Sequence, residues 1–502
     1  VPLTDYGVDS VLLMQAMATI GRRVGETLDP SLLFEHGTIE AFAAWLVSHH
    51  GAALSATATP VAVSAGAPVE PVAPAVASAD DPAAPLAVVG MACRFAGADD
   101  LDGYWRLLRE GRSAIAPVPT SRWAQARPDD WAGLLGDVEH FDPGYFHLSP
   151  ADARAMDRQA LIVLEESVKA WHHAGYEAAR LKGTATGVYL GARGQVQADA
   201  ARLAAAPNPI LATGQNYLAS NVSRFFDLRG PSLVVDTACS SALVGLQMAA
   251  QALREGEITA ALVGGVSLLG GPEALRMFER RGILQRGQFH LFDRRAQGAI
   301  LGEGVGMVVV KTQAQARADG DRIYGLIRAV AVNNDGRTAG PTAPNVQAQK
   351  EVMRRALARA GVSADEVSHV EVNGSGSEVT DLLELRAIES VYRPAGEGWC
   401  ELGSMKPNIG HPLCAEGIAS LIKVVLMLHH GERVPFLSAQ ESMEHYDFAR
   451  SPFRFTRQAR AWDDAPRVAA INAFADGGTN AHVLVEAAPA ADATARVPLE
   501  PP

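Results

Sequence analysis

Residues 233–246 read LVVDTACSSALVGL and join a strand, a turn and the start of a helix around one cysteine. LVVD (233–236) is short, apolar and β-branched, which predicts a buried strand. From Ser241 onward, apolar residues recur at helical spacing: Leu243, Leu246, Ala250 and Leu253. Cys239 therefore lies at a helix N-terminus, whose positive dipole end favours a thiolate, the nucleophilic form. From this turn alone, a small buried cysteine that only packs is an equal alternative.

The composition is typical of a globular protein that binds no nucleic acid. The 502 residues, 48% hydrophobic and 20% charged, suffice for about three domains. A net charge of −12 argues against a nucleic-acid surface. Four cysteines form no disulfide framework, no run approaches the ~20 apolar residues of a membrane span, and VPLTDYGVDS is no signal peptide. We therefore expect a cytoplasmic protein and, because residue 1 is not Met, a piece of a longer polypeptide.

Composition also divides the chain into segments. Residues 1–50 predict a small helical unit with Thr38 as an N-cap and two apolar stripes, Leu13, Met17 and Ile20, then Ile39, Phe42, Ala43 and Leu46. Residues 51–84 are rich in Ala, Pro, Val and Ser, contain no aromatic residue, Lys or Arg, and predict a flexible linker. The Ala- and Pro-rich residues 490–502 predict a disordered tail.

Residues 85–489 predict one large α/β unit. Strand-like runs recur along it: LAVVG (86–90), GVYLGA (187–192), LVVD, AALVGG (260–265), GMVVVK (306–311), HVEV (369–372) and HVLVEA (482–487). Helical patterns lie between many of these runs, the longest of them in residues 141–176. The alternation predicts a largely buried mixed sheet between layers of helices.

Three further loops hold residues suited to catalysis. Strand HVEV runs into NGSGS (373–377), and Lys406 and His411 precede an apolar helix. NAFADGGTNAHVLVE (472–486) joins two strands by a Gly-rich turn, whose N–H groups could form half of an oxyanion hole. With a cysteine nucleophile, and with His411 moving a proton near neutral pH, covalent acyl transfer from a thioester is chemically reasonable. Singly, such a histidine is more often structural and such a lysine usually solvated.

Together the motifs resemble the ketosynthase domain of modular polyketide synthases, from about residue 85 to 489. The resemblance is carried by LAVVGMACRFAG, WRLLREGRSAI, DTACSSAL, LGEGVGMVVVK, VNNDGRTAGPTAPN, GSMKPNIGH, CAEGIASLIKVVL and GGTNAHVLVE. It implies a thiolase fold, which is α/β with two similar halves in five αβαβα layers, and an obligate homodimer. It also implies that Cys239 is the acyl-accepting nucleophile and that Lys406 and His411 are the family's Lys and second His. The N–H groups of Cys239 and Asp476 would form the oxyanion hole, and the family site contains no metal.

Asn373 is the departure that bears most on function, because the chain has NGSGS where the family has HGTGT. The first catalytic histidine, which helps to decarboxylate the malonyl extender, is thus an asparagine. Asparagine can donate a hydrogen bond but cannot take or give a proton at neutral pH. Losing such a contribution typically costs a factor of ~10²–10⁴. Acyl transfer alone needs only the thiolate and the oxyanion hole.

The pattern therefore resembles the non-elongating ketosynthases of polyketide synthases whose acyltransferase acts in trans, and so does EHYDFARSPFRF (444–455). Asp381 and Glu384 keep their family places. Pro407 replaces a serine and biases Lys406 toward extended backbone, and Asp476 stands where the family often has a phenylalanine beside the acyl channel.

Three other functions remain open. The first is an elongating ketosynthase in which Asn373 serves with reduced efficiency, the second a catalytically silent dimeric scaffold, and the third thioester hydrolysis by the same cysteine. Cys93, Cys400 and Cys414 are weaker nucleophile candidates, because no motif supports them.

The N-terminal unit resembles an acyl carrier protein through LTDYGVDSVLLMQ (3–15) and LLFEHGTIEAFAAWL (32–46). Ser10 matches the residue that carries 4′-phosphopantetheine, whose phosphodiester would lie at a helix N-terminus. Alone, an Asp-Ser pair at a helix start is a common cap. The family's first helix would precede residue 1, so we expect a C-terminal carrier fragment. Partners would be acyl carrier proteins upstream and downstream.

Overall fold

The computed structural model describes residue 17 and residues 19–26, 28, 38–54, 84–194, 200–338, 343–392, 398–443, 445–463, 465–489 and 495–500. The chain falls into two compact units, 1–75 and 76–502. The predicted linker lies mostly outside the described residues, and the segment boundaries at 50, 84 and 489 stay a prediction. Residues 495–500 of the tail are described and packed on the second unit, where Arg496 pairs with Asp321 at 3.2 Å, so the prediction of disorder is wrong for them.

The first unit has a small apolar core beside a helical segment, α1 (Ile39–Leu54), which is kinked at His50. Its buried residues are Met17, Leu28, Phe42 and Leu46. The Thr38 hydroxyl accepts a hydrogen bond from the Ala41 N–H at 3.1 Å, which confirms the predicted cap. The predicted stripe on α1 is too wide, since Ile39 is 46% exposed and Ala43 is exposed as well. On α1 the i, i+4 pair Phe42 and Leu46 is buried in the core, and Trp45 and Leu54 pack against it while partly buried.

The second unit is built on ten main strands: β1 (Leu86–Phe95), β2 (Thr186–Gly191), β3 (Ser232–Val235), β4 (Ala260–Ser267), β5 (Gly304–Thr312), β6 (Gly325–Asn334), β7 (Val367–Glu371), β8 (Cys400–Gly403), β9 (Val468–Phe474) and β10 (Thr479–Ala487). A short strand, Phe453–Arg454, extends the edge beside β8. Two small two-stranded sheets pair Ala116–Pro117 with Trp131–Ala132 and Glu432–Arg433 with Arg460–Ala461.

The ten strands form two half-sheets of identical topology. The first half has the order β3-β2-β4-β5-β1 and the second β8-β7-β9-β10-β6. In each half the first three strands run parallel, and the last two pair antiparallel to their neighbours. The halves join where Leu86, Ala87 and Val88 of β1 pair with β6. This internal duplication confirms the predicted thiolase fold.

Helices cover both faces of the half-sheets. They are α2 (Leu101–Arg109), α3 (Pro150–Ala155), α4 (Arg158–His173), α5 (Ala200–Ala205), α6 (Tyr217–Phe226), α7 (Ser241–Arg254), α8 (Glu273–Arg280), α9 (Gln313–Ala318), α10 (Val346–Ala360), α11 (Glu378–Tyr392), α12 (Lys406–Ile409) and α13 (Glu416–His430). Short 3₁₀ turns include Ala238–Ser240 and Leu413–Ala415.

Helices α7 and α13 form the central layer between the two half-sheets. Their apolar residues share one core with the inward-facing residues of both halves. Alternation along β1 shows the layering, because Leu86 and Val88 belong to this central core while Ala87 and Val89 pack against α4 and α6 outside. On the far side, α10 and α11 cover the second half. The result is the predicted five-layer αβαβα arrangement.

Two sequence expectations need adjustment. Strand β3 was predicted to be buried, but it is an edge strand and Leu233 is 36% exposed. An apolar edge strand and a buried central strand have the same local pattern. In addition, the 18-residue stretch Leu413–His430 is apolar and long enough to cross a membrane, yet 83% of it is buried inside the protein. It is the central core helix.

The central layer makes a stability prediction. Leu246 and Met248 lie on α7, the first fully buried and the second 39% exposed. We expect Leu246→Ala to lower the free energy of unfolding by about 2–5 kcal/mol, since it leaves a cavity between the half-sheets. Met248→Ala is the matched control and should stay within about 0.5 kcal/mol. Denaturant unfolding measures both, and equal losses would contradict the layer assignment.

Candidate active site

Cys239 lies in the turn between β3 and α7, as the sequence predicts. The turn is a 3₁₀ segment, Ala238–Ser240, and Ala238 has a φ of +55°. A left-handed alanine is strained, and hydrogen bonds fix it there. The Ala238 N–H donates to Asp236 Oδ1 at 3.1 Å, and the Thr237 N–H donates to Ser241 Oγ at 2.9 Å. The strain therefore sits at the residue that precedes the predicted nucleophile.

His411 is brought to Cys239 by the loop between α12 and α13. Its Nε2 atom is 3.2 Å from Cys239 Sγ, and its side chain is largely buried. The loop is held by a close approach to Leu301, whose backbone bridges to His411. Gly410 makes this approach possible, with a φ of +80° and with Leu301 O only 2.8 Å from where a Cβ would lie.

Lys406 is buried and joins two parts of the site. Its side chain is 2% exposed. The ammonium donates to the carbonyl oxygens of Asn373 and Gly374 at 2.6 and 3.1 Å, and it forms an ion pair with Glu416 at 2.9 Å. Lys406 begins the short helix α12, so the predicted extended backbone is wrong. Pro407 occupies the first turn of that helix, where no N–H is needed.

Asn373 lies at the end of β7 in a tightly held loop. The N–H groups of Asn373 and Gly374 both donate to the Glu384 carboxylate at 2.8 Å. The Phe474 N–H donates to Asn373 Oδ1 at 3.0 Å. Because a backbone N–H can only donate, this bond fixes which way round the amide lies. Asn373 Nδ2 therefore has no hydrogen-bond partner among the described residues, although the Asn373 side chain is buried.

Asp381 holds the rest of the NGSGS loop. It accepts hydrogen bonds from the Ser375 N–H and hydroxyl at 2.8 and 3.0 Å, and from the Gly376 N–H at 3.2 Å. Burial raises the pKa of Asp381 to about 7, and the nearby Glu384 carboxylate adds to this shift. The two acidic residues that keep their family places therefore position the backbone of this loop.

Glu416 is a site residue that the sequence reasoning missed. It begins α13 and is 1% exposed. One carboxylate oxygen pairs with Lys406, and the other lies 3.3 Å from His411 Nδ1. Burial raises its pKa to about 7, against the lowering effect of Lys406. The available signal was the glutamate in CAEGIASLIKVVL, at the start of a largely apolar helix.

The ionisation of the site differs from the sequence expectation. Burial raises the pKa of the Cys239 thiol, the Glu416 carboxylate raises it further, and Lys406 opposes both. Burial and Lys406 hold the pKa of His411 well below its usual value. The resting pair is therefore a neutral thiol beside a neutral imidazole. The thiolate expected from the sequence is therefore not the resting form, because burial disfavours the charged sulfur.

Cys239, His411 and Glu416 also have ligand atoms within 4.8 Å of one another, a spacing that could suit a metal ion. However, each ring nitrogen of His411 faces a different neighbour. Metal ligands converge on one centre, whereas this arrangement suits hydrogen bonds in series.

Comparison with known proteins gives the family. Residues 83–316 match the N-terminal domain and residues 324–440 the C-terminal domain of β-ketoacyl synthases. The oxazolomycin ketosynthase domain OzmH KS8 from Streptomyces albus is 51% identical and covers 84% of this chain and 98% of its own, with a TM-score of 0.69. The chain belongs to the β-ketoacyl synthase family. These enzymes are of the acyltransferase type, and the relatives are ketosynthase domains of polyketide synthases.

Two other relatives support the same family. The module 6 ketosynthase of the bacillaene synthase from Bacillus subtilis 168 is 38% identical, over 81% of this chain and 72% of its own, with a TM-score of 0.76. Polyketide synthase PksL from Bacillus subtilis is 53% identical over 97% of this chain. The chain spans only 11% of the length of PksL. Residues 1–46 match the phosphopantetheine attachment site family.

The remaining predicted site residues are Asp476, the oxyanion-hole donors and Ser10. Asp476 pairs with Arg281 at 3.0 Å, and its carboxylate adds to the raised pKa of Cys239. Between described residues, the N–H groups of Cys239 and Asp476 have no hydrogen-bond acceptor, but the oxyanion hole stays a prediction. Ser10 lies outside the described residues.

The other three cysteines of this ketosynthase are buried. Cys93 lies on β1, Cys400 begins β8, and Cys414 lies in the turn before α13. Burial raises the pKa of each thiol. Among the described residues none of these three thiols contacts a histidine, whereas Cys239 contacts His411.

The raised thiol pKa predicts how Cys239 reacts with iodoacetamide. Only the thiolate reacts, so a raised pKa leaves little thiolate at pH 7, and the rate should climb from pH 7 to 10 without a plateau. Intact-protein mass spectrometry follows the adduct. Cys239→Ala supplies the background from the other thiols, and a plateau reached below pH 7 would contradict the assignment.

Proposed function

We propose that this ketosynthase accepts an acyl chain as a thioester on Cys239 and passes it to another carrier protein without extending it. The contact between Cys239 Sγ and His411 Nε2 carries the proposal, because it retains the groups for transacylation. Asn373 stands where the family's first catalytic histidine lies, and its oxygen is occupied by the Phe474 N–H.

The chemistry of the two steps differs at this residue. Transacylation needs a nucleophilic sulfur, a proton acceptor and N–H donors for the oxyanion, and the proposed donors are those of Cys239 and Asp476. Decarboxylation also has to stabilise the negative charge that develops on the malonyl thioester. Asn373 Nδ2 can donate a hydrogen bond there but cannot transfer a proton. We therefore expect condensation to be slower by a factor of ~10²–10⁴ than it would be with a histidine at this position.

The proposal also concerns the setting of the enzyme. EHYDFARSPFRF resembles the subgroup served by an acyltransferase in trans, so we place the domain in such a synthase, in the cytoplasm. The match of residues 1–46 supports a carrier unit with 4′-phosphopantetheine on Ser10. Cys239 would then accept the acyl chain from one carrier protein and transfer it to the next.

The direct test loads Cys239 with a short acyl pantetheine thioester and follows the intact protein by mass spectrometry. One sample is chased with unloaded holo-carrier, the other with malonyl-carrier. We expect the acyl group to appear on the holo-carrier and no two-carbon extension in the second sample. A β-ketoacyl product would instead indicate an elongating enzyme. No adduct on Cys239 would indicate a scaffold, and loss of the adduct to water alone a hydrolase.

A single substitution connects the loss of condensation to one residue. We expect Asn373→His to raise extension with malonyl-carrier to a measurable rate, since the imidazole restores a proton carrier at this position. Loading of Cys239 should stay within about threefold of wild type, because the Cys239–His411 contact is unchanged. The matched control is Asn373→Gln, which keeps an amide. Extension absent from both variants would show that Asn373 alone does not explain the missing step.

We further propose that the domain is a homodimer through β3. This strand lies at the edge of the sheet, and its apolar residues Leu233, Val234 and Val235 are only partly buried. An exposed apolar edge is a template for strand pairing, and a second copy across a twofold axis would satisfy it. Leu233→Lys should shift the mass measured by light scattering from dimer toward monomer. A monomeric wild type would contradict the proposal.

A further inference from the structure

We propose that Glu416 is a positioning residue, which orients His411 so that its Nε2 atom takes the proton of Cys239 during acyl transfer. The inference deepens the proposed function and rests on it in one respect, namely that acyl transfer passes through Cys239. It concerns a carboxylate at the start of the central helix α13, to which the sequence analysis assigns no role.

The geometry forms a chain of three groups. Cys239 Sγ lies 3.2 Å from His411 Nε2, and His411 Nδ1 lies 3.3 Å from Glu416 Oε2. The imidazole therefore stands between the thiol and the carboxylate and faces each through a different nitrogen. Nucleophile, base and orienting acid in this sequence are the arrangement of a catalytic triad.

The two facing atoms, one on His411 and one on Glu416, form no other hydrogen bond among the described residues. His411 Nδ1 and Glu416 Oε2 are both buried, and neither has a hydrogen-bond partner among the described residues. Their 3.3 Å separation is within reach, but the alignment is poor in the resting protein. A hydrogen bond between them would satisfy both atoms at once. Catalytic hydrogen bonds are often misaligned without substrate and tighten when it binds.

Glu416 divides its two oxygens between two tasks. Oε1 pairs with the Lys406 ammonium at 2.9 Å, while Oε2 is left for His411. Lys406 is in turn fixed by the carbonyl oxygens of Asn373 and Gly374. The carboxylate is thus anchored through one oxygen and presents the other to the ring. If Glu416 only neutralised Lys406, the second oxygen would have no reason to face Nδ1.

This orientation fixes the tautomer that acyl transfer requires. With a proton on Nδ1 directed at Glu416, Nε2 presents a lone pair to Cys239. As Sγ bonds to the thioester carbon, its proton moves to Nε2. The bond from that carbon to the pantetheine sulfur then breaks, and Nε2 returns the proton to the departing thiolate. The same steps in reverse deliver the chain to the next carrier, and Glu416 stabilises the transient imidazolium beside Lys406.

The ionisation of Glu416 should make the rate of Cys239 loading depend on pH. The charged and titratable groups facing it are Lys406, His411, Cys239, Glu384 and Glu371. Burial raises the pKa of Glu416 to about 7 although Lys406 lowers it. Only the carboxylate form supports the imidazolium, so loading should accelerate as pH rises through about 7. Replacing Glu416 by a neutral residue should remove this rise.

The experiment measures the single-turnover rate of Cys239 loading from an acyl pantetheine thioester in Glu416→Gln. We expect a fall of about 10- to 100-fold at pH 7.5, little change in the half-saturating thioester concentration, and loss of the rise near pH 7. The matched control is Glu166→Gln, because Glu166 is also a buried glutamate paired with a lysine, Lys169, at 2.7 Å, and it is not among the groups that face Glu416. Its loading rate should stay within about twofold of wild type.

A second readout uses no acyl donor. If Glu416 supports proton transfer to His411, iodoacetamide should alkylate Cys239 several-fold more slowly in Glu416→Gln. If Glu416 acts only as a nearby negative charge, removing it should lower the pKa of Cys239 and speed alkylation. A faster rate, or loading within twofold of wild type, would overturn the proposal. Should Glu416→Gln fail to fold, Glu416→Asp keeps the charge, and a fall in its loading rate would carry the same meaning.

The two proposals fail in different ways. If wild-type Cys239 loads but then extends the chain with malonyl-carrier, the proposed function is wrong and the role of Glu416 is untouched. If Glu416→Gln loads as fast as wild type, the role of Glu416 is wrong and the relay function stands. If wild-type Cys239 does not load at all, acyl transfer fails, and alkylation still decides whether Glu416 assists His411.

Discussion

The buried ammonium of Lys406 is the interaction on which the site depends. It lies between the end of β7, whose carbonyl oxygens it binds, and the start of α13, whose Glu416 it pairs with. A charge this deep is strongly destabilising unless it is paired and hydrogen-bonded. Asn373, Gly374 and Glu416 supply those partners. Because of this, the loop that carries Asn373 and the helix that follows His411 have to stay in register.

The duplicated fold explains why these elements meet. Each half-sheet has the same strand order, and the central helices α7 and α13 occupy equivalent places between the halves. The turn before α7 carries Cys239, and the turn before α13 follows His411. Both turns include a left-handed residue that is not glycine, Ala238 and Leu413. Strain of about 1–3 kcal/mol at each is tolerated because the close-packed core on both sides fixes the helices.

The sequence was sufficient for the layers and for the pairing of Cys239 with His411. Strands such as β1 have clear apolar patterns, and the family motifs name the two residues. It was insufficient where local pattern and tertiary setting disagree. An apolar edge strand such as β3 resembles a buried one, and the proline after Lys406 does not prevent a helical turn that a buried ion pair stabilises.

Glu416 was missed for a related reason. A glutamate at a helix start is ordinarily a favourable charge near the dipole, and one-dimensional spacing does not show that it faces a histidine five residues earlier. The thiolate expectation failed for a physical cause as well. Burial disfavours the charged form of the sulfur and raises the pKa of Cys239, an effect that the local sequence around the turn does not show.

A neutral thiol in the resting enzyme is consistent with a relay. A permanent thiolate is susceptible to oxidation and to attack on whatever thioester reaches it. In the proposed mechanism the thiol passes its proton to His411, and Glu416 and Lys406, which lie beside that histidine, are themselves buried. Reactivity at neutral pH then depends on the proton acceptor beside the sulfur. For an enzyme that has to hold an acyl chain until the next carrier arrives, this dependence matters more than the nucleophilicity of a free sulfur.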